Sequence, residues 1–263
     1  MPDNQSVSTA TKDLLSAITL LAGKSDRPIV VFSAVWPIAR ALKMTIEATT
    51  DLLLDHLVSI ARNRTLLLPT FSNGYKDGFL DLDTTPSTTG ILSEKFRTQQ
   101  GSLRTASAFF SFSAIGPGSS ELAELQPSEA WGDGSSYHWM EEQNALQLMI
   151  GAHPTHCSYL HRVEWLHRAS IPYRYNKTFS GTIRLRGHTT TLQETLFVRS
   201  LSPEARNDFT VLHQPLLANG MSSLRIGPTV ITAMSTLDMH DATSALLRSD
   251  PLYCLSNRRD FET

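Results

Sequence analysis

Apolar residues recur along this chain at two periods, and each change of period marks an element. Leu14, Leu15, Ile18 and Leu21 fall at helical spacing and predict a helix over residues 9–21. Residues 28–32, Pro-Ile-Val-Val-Phe, are an unbroken apolar run, the pattern of a short strand buried on both faces. Leu53, Leu54, Leu57 and Ile60 share one face of a second helix over residues 45–61. Another apolar strand follows at 65–68 and stops at Pro69. Helix alternating with all-apolar strand predicts an α/β core with at least partly parallel strands. A polar loop spans 72–90. Further helices are expected at 91–97, 120–125 and 240–248, with strands at 111–115 and within 143–150. Residues 153–168 begin as a loop and continue as a helix. From 178 to 198 the period falls to two, in "FSGTIRLRGH" and "TLQETLFVR", which predicts a small antiparallel β portion in the C-terminal half. No repeat or low-complexity linker divides the chain, so residues 1–263 are expected to form a single domain.

Composition narrows the partners. The 263 residues are 41% hydrophobic and 18% charged, with a formal net charge of −2. That is the composition of a folded protein with a sizeable core. A chain without surplus Lys and Arg is a poor fit to nucleic acid, whose phosphates need neutralising. No apolar run is long enough to span a bilayer, so no membrane partner is expected. Cys157 and Cys254 show no CxxC spacing, and a disulfide framework is not expected. The polar stretch 1–12 lacks a leader pattern, which together with the cysteine usage predicts a cytoplasmic protein.

The densest group of reactive side chains is "GAHPTHCSYLHRVEW", with His153, His156, Cys157, His161 and Glu164. His161 and Glu164 are three apart and share a face of the expected helix. A neutral imidazole held by a carboxylate suits general-base work near neutral pH. Zinc is the competing use of these side chains, but standard ligand spacings and HExxH are absent, so no metal is expected. Cys157 lies four residues from His161. It reads better as a small buried residue than as a nucleophile, because nothing nearby lowers its thiol pKa. Two more segments offer hydroxyls and backbone amides. One is "LLLPTFSNGYKDG", a strand end with Thr70 and Ser72. The other is "DTTPSTTGILSEKFR", in which Thr88 or Thr89 is expected to cap the following helix.

In order and spacing, these segments resemble the aminoglycoside 3-N-acetyltransferase family. The features that carry the resemblance begin with "VVFSAVW" with Ser33, then Pro69-Thr70-Phe71-Ser72, then "TPSTTGILSEKFR" and "RTASAFFSFSAIG" from Arg104 to Gly116. The last is a Gly-bounded strand before Leu160, His161 and Glu164. The resemblance runs from about residue 28 to 253. It implies that family's fold, a mixed central sheet flanked by helices rather than the small acetyltransferase fold, and an acyl-CoA co-substrate. It places the family's essential His on His161, with Glu164 as its acidic partner. It implies a coenzyme A cleft built from Ser33, Thr70, Ser72, Thr88, Gly90, Arg104 and Ser107. The chain also departs from the family. Ser107-Ala108 stands where the family has His-Pro, and Cys157, Ser158 and Tyr159 stand where it usually has Asn-Thr-Ser.

An aminoglycoside is a polycation, and its pocket should be acidic. The matching loops carry no long acidic run. Instead "PYRYNKTFSG" offers Arg174, Tyr175, Asn176 and Lys177, which suit a base and a diphosphate. The first expectation is therefore an acyl-CoA-dependent N-acyltransferase. It would move an acetyl or short hydroxyacyl group to the amine of a nucleotide-linked amino sugar, with His161 as base and those four residues on the acceptor. The alternative is an aminoglycoside 3-N-acetyltransferase conferring antibiotic resistance. A third reading, a binding protein without turnover, conflicts with the retained His161 and Glu164.

Overall fold

The computed structural model describes residues 4–75 and 77–262. Its centre is a seven-stranded mixed sheet in the order β4-β5-β2-β1-β6-β10-β9. The inner strands β1 (Ile29–Ser33), β2 (Leu66–Pro69) and β6 (Leu146–Ile150) are parallel; Val30 stands opposite Leu67 on one side and Gln147 on the other. β10 (Thr229–Ser235) runs antiparallel to β6, and β9 (Ser222–Ile226) to β10. On the other flank β5 (Phe112–Ile115) and β4 (Leu103–Arg104) are also antiparallel.

Burial on both faces explains the unbroken apolar strands. Along β1, Ile29 and Val31 enter one core with Leu14, Ile18, Leu53 and Leu57. These come from α1 (Asn4–Ala22) and α3 (Ile46–Ile60), and α2 (Val35–Leu42) and α4 (Ile91–Arg97) pack on the same face. Val30 and Phe32 point into the opposite core with Tyr137, Trp139, Leu160 and Met239. That layer holds α6 (Ser136–Glu142), α7 (Tyr159–Leu166), α8 (His213–Ala218) and α9 (Thr236–Ser249), while the short α5 (Ser119–Glu124) lies near the β4–β5 flank. Each Leu or Ile fully removed from water contributes roughly 1.5–3 kcal/mol. The one polar side chain in the middle of β6, Gln147, is satisfied: it donates to Thr236 Oγ1 at 2.9 Å and accepts from Cys157 Sγ at 3.5 Å.

A second sheet projects from this body. β7 (Arg174–Leu185) and β8 (His188–Arg199) form a long hairpin, and β3 (Phe79–Asp81) joins β7 in parallel. The mixed sheet, the helical flanks and the C-terminal antiparallel portion are those read from the sequence.

Several details differ. The loop expected over 72–90 contains β3, too short to show a period. The antiparallel portion begins at Arg174 and not at Thr178, since pairing of Arg174 to Lys177 with Arg199 to Leu196 extends the strand. α2, α6, α8 and the β9–β10 hairpin were not anticipated. Neither Thr88 nor Thr89 caps α4. Its cap is Gly90, at φ 115°. The Thr88 hydroxyl donates to Phe71 O at 3.1 Å and that of Thr89 to Pro69 O, tying the loop to the end of β2. The Glu94 carboxylate serves this helix end instead, accepting from the Ser87 amide at 2.7 Å.

Candidate active site

β6 ends at Gly151, where φ is +68° and a Cβ would stand 3.0 Å from Ala34 O. Only glycine fits that approach without strain. The chain then makes one 3-10 turn over Pro154–His156 and enters α7. His161 lies in the first turn of α7 and Glu164 one turn on. Their side chains meet: His161 Nδ1 is 2.7 Å from Glu164 Oε2.

Glu164 is fully buried and every donor around it is supplied by the protein. Arg174 Nη2 lies 3.0 Å from Oε2, while Tyr173 Oη and Asn207 Nδ2 donate to Oε1 at 2.8 and 3.0 Å. Asn207 also accepts from Arg174 at 3.0 Å, so the three residues brace one another. Burial alone would raise the carboxyl pKa. Arg174, the His161 bond and the Tyr173 hydroxyl outweigh it and hold the group at about 2. Glu164 is thus a fixed negative charge. The 2.7 Å contact with the Glu164 carboxylate, which can only accept, puts the proton of neutral His161 on Nδ1; Arg174 Nη2, 3.2 Å from the same nitrogen, then directs its hydrogens to Glu164 and Asn207, and the Nε2 lone pair is left free to accept another proton. Burial and then Arg174 push the imidazole below its ordinary value, against the opposing pull of Glu164. His161 is therefore a neutral base at physiological pH, with 27% of its side chain exposed.

Aromatic rings wall the imidazole. Trp131 packs against it at 5.7 Å between ring centres and Phe209 at 5.2 Å. Phe110 lies on Trp131 at 4.9 Å and Phe71 on Phe110 at 5.2 Å, leading from the imidazole toward the end of β2. Arg162 Nη1 donates to Trp131 O at 2.7 Å and its guanidinium pairs with Glu141 at 2.8 Å, which fixes the Trp131 backbone.

The sequence profile of the family described as aminoglycoside 3-N-acetyltransferase matches residues 45–248. The chain belongs to that family. Structures of similar fold include AAC-IIIb in a binary complex with CoASH, 18% identical, with a TM-score of 0.76 over 91% of this chain and 96% of that one. They also include sisomicin-bound AAC-VIa, 18% identical, TM-score 0.75, covering 91% and 97%. The YokD protein from Bacillus subtilis is 16% identical, TM-score 0.70, covering 91% and 99%. Among curated proteins, none matches the sequence. The expected enzyme class, an N-acyltransferase, is the class of the family.

The family segment ending in Leu160, His161 and Glu164 forms the center just described. The other expected site residues are placed differently from one another. Ser33 and Thr70 sit at the ends of neighbouring β1 and β2. Thr70 is fully buried, its hydroxyl donating to Ser111 O at 3.2 Å. Ser72 donates to Ala108 O at 2.5 Å. Arg104, expected on coenzyme A, directs its guanidinium inward to Leu82 O, Thr85 O, Thr70 O and Ser111 Oγ, at 2.5–3.0 Å. It clamps the 82–85 loop to β2. Ser107 is likewise internal, donating to Glu194 Oε1 at 2.5 Å and accepting from the Phe110 amide at 2.8 Å. Ser72 and Thr88 do line a cavity of about 590 Å³, with Asn73, Asp77 and Asp81. Of the four acceptor candidates, Arg174 is only 6% exposed and committed to Glu164. Tyr175, Asn176 and Lys177 are exposed along β7. Cys157 is buried, which pushes its thiol up to about 12 and disfavours the thiolate that a nucleophile needs. Among the described residues, no three His, Cys, Asp or Glu side chains converge as metal ligands.

Tyr173, Asn207, Trp131 and Phe209 were missed, since only the fold brings them to His161. Glu194 was also missed, although its sequence carried a signal. Its place between Leu192 and Leu196 in an alternating strand sets a carboxyl on the inward face. There it is fully buried, and burial raises its pKa against the hydrogen bonds from Ser107, Ala108 and Phe109.

Proposed function

We propose that the chain transfers the acetyl group of acetyl-CoA to an amine of an amino sugar of the aminoglycoside type, with His161 as general base. The observation that carries this reading is the His161–Glu164 contact, braced by Tyr173, Arg174 and Asn207. A protonated amine is not a nucleophile. As the amine nitrogen bonds to the thioester carbonyl carbon, Nε2 of His161 takes its proton. The C–S bond then breaks and the thiolate leaves, to be protonated by the imidazolium or by water. Glu164 stabilises the imidazolium formed in between, which is the electrostatic task of a buried carboxylate beside a base.

Family membership and the sisomicin-bound relative support an aminoglycoside-type acceptor. Arg174, the main support for a nucleotide-linked acceptor, is taken by Glu164. That second reading keeps one supporting observation, a cavity lined by His153, His213 and Arg225 with no carboxylate among the described residues. Release of free thiol from acetyl-CoA, measured with sisomicin-type aminoglycosides and in parallel with UDP-linked amino sugars, tests the reading. Turnover of the aminoglycosides supports it. Turnover confined to the nucleotide sugars replaces it with the second reading, and turnover of neither removes both.

A further inference from the structure

Between β4 and β5 the chain turns through Ser107, Ala108, Phe109 and Phe110 outside any helix or strand. The turn lies against the interior, so its amides need protein acceptors. Glu194, on β8 and fully buried, supplies them. Its Oε1 accepts from the Ser107 hydroxyl at 2.5 Å and its Oε2 from the Ala108 amide at 2.9 Å. The Phe109 amide donates to the same carboxylate. The Ser107 oxygen in turn accepts from the Phe110 amide at 2.8 Å. One carboxylate and one hydroxyl thus satisfy three consecutive amides. A side chain that accepts at both of its oxygens is needed for this, and a carboxylate is one.

The rings carried by this turn lead to the base. Phe110 packs on Trp131 at 4.9 Å between ring centres, and Trp131 on His161 at 5.7 Å. The same strand also holds the Trp131 side of that contact. Thr195, next to Glu194, donates its amide to Ser128 O at 2.8 Å, and its carbonyl accepts from the Ala130 amide at 2.9 Å. Two neighbouring residues of β8 therefore hold the two segments whose rings meet. Glu194 grips the turn bearing Phe110 by its side chain, and Thr195 grips the segment bearing Trp131 by its backbone.

Other bonds hold the turn from a different direction. Ser72 Oγ donates to Ala108 O at 2.5 Å, and the Ser72 amide to Phe109 O at 3.3 Å. They tie the turn to the end of β2, whereas Glu194 ties it to the strand that carries the Trp131 segment. The charged groups that face the imidazole are Glu164 on α7 and Arg174 on β7, and its aromatic neighbours are Trp131 and Phe209. Glu194 is not one of them, so its influence on His161 passes through Phe110 and Trp131.

We propose that Glu194 is a positioning residue for the catalytic base: it sets the 107–110 turn so that Phe110 holds Trp131 against His161 and limits the access of water to the imidazole. The assignment deepens the acetyl-transfer reading and rests on it for the role of His161.

The test is the titration of the His161 ring, followed by NMR at its Cε1 proton in the wild type, in Glu194→Gln and in Ser107→Ala, with His161→Asn to assign the signal. The sign of the change decides. Burial is the largest cause holding this imidazole below its ordinary value, so admitting water raises its midpoint, whereas deleting a negative charge that acts on it directly lowers it. The proposal predicts a midpoint raised by roughly half a pH unit in both variants. It also predicts a kcat for sisomicin acetylation lowered by roughly ten- to a hundredfold, the scale of a small misplacement at a reacting centre. Thermal melting confirms that each variant is folded. If Glu194→Gln melts early, Ser107→Ala reads the same link by removing one hydroxyl. A midpoint that stays or falls in the folded variants, or turnover at the wild-type rate, overturns the proposal, even where the melting temperature drops. The titration is read without substrate, so failure of the wild type to acetylate any amino sugar would count against the function and leave the titration result standing.

Discussion

Two cavities differ in the charge of the described residues that line them. The larger, about 590 Å³, is lined by Ser72, Asn73, Asp77, Asp81 and Thr88. The smaller, about 360 Å³, is lined by His153, His213 and Arg225 with no carboxylate. Aromatic contacts run from His161 through Trp131 and Phe110 to Phe71, which precedes Ser72 of the larger cavity, while Phe209, also packed on the imidazole, precedes His213 of the smaller one by four residues. An acetyl transfer to an amino sugar joins a polyanionic donor to a cationic acceptor. The pairing of an acid cavity with a basic one suits those two partners. The difference also teaches that a net charge of −2 describes the whole surface and nothing local.

The largest expected effect lies at His161. Replacing His161 by Asn should lower kcat by about 10²–10⁴-fold, the usual range for losing a general base. Coenzyme A affinity measured by calorimetry should hardly change. A variant that keeps most of its activity would remove His161 as the base.

Next comes the brace beneath that point. Glu164→Gln leaves Arg174 buried without its counter-charge, which should cost about 3–5 kcal/mol in urea unfolding. The wild type has a matching pH signature. The folded Glu164 pKa of about 2 lies below the ordinary value of 4.5, so its contribution is complete above pH 4.5. It is lost as pH falls from there toward 2, on the order of 3 kcal/mol in all. An unfolding free energy that is flat over this interval in the wild type, or equally steep in the variant, would contradict the assignment.

The acid cavity is probed by Asp77→Asn. Asp77 is exposed and has φ of 52°, which Asn tolerates well, so the backbone is kept. The KM for a polycationic acceptor should rise by about three- to tenfold, the worth of one exposed charge contact, with kcat and coenzyme A binding unchanged. An effect on coenzyme A binding instead would contradict the placement of the acceptor beside Asp77. The smallest effect is expected at Cys157. Its Ser variant should retain turnover within about threefold, because direct attack needs no thiol. A dead variant, with acetyl-cysteine found by mass spectrometry in the native enzyme, would replace direct attack with a covalent route.

How much of this was legible in the chain depends on the range of the interaction. Val30 and Leu67 announce buried parallel strands because both faces of the sheet must be apolar. Thr45 caps α3, accepting from the Ala48 amide at 3.1 Å, as a residue of that type before an amphipathic run should. His161 and Glu164 were legible because three-residue spacing on a helix is a local fact. Arg174 was legible as a cation and misassigned in role, because its partner Glu164 reaches it only through folding. Arg104 and Ser107 were likewise read as ligand contacts, whereas their partners are carbonyls and a carboxylate far along the chain. α2 escaped notice because Pro37 lies inside it, where proline usually marks a break; in the first turn no helical amide bond is lost. The basic cavity was invisible in the sequence, since His153, His213 and Arg225 come from three separate segments.

The central claim is that His161 acts as a neutral base whose pKa is set by its surroundings. The most direct test is the pH dependence of kcat/KM for acetyl transfer, in the wild type and in His161→Asn. Burial and Arg174 push the imidazole below its ordinary 6.5, and a base must be unprotonated to work. The account therefore predicts one acidic limb with its midpoint below pH 6.5 in the wild type, and loss of that limb from the residual activity of the variant. A midpoint above 6.5, or an identical limb in the variant, would contradict it.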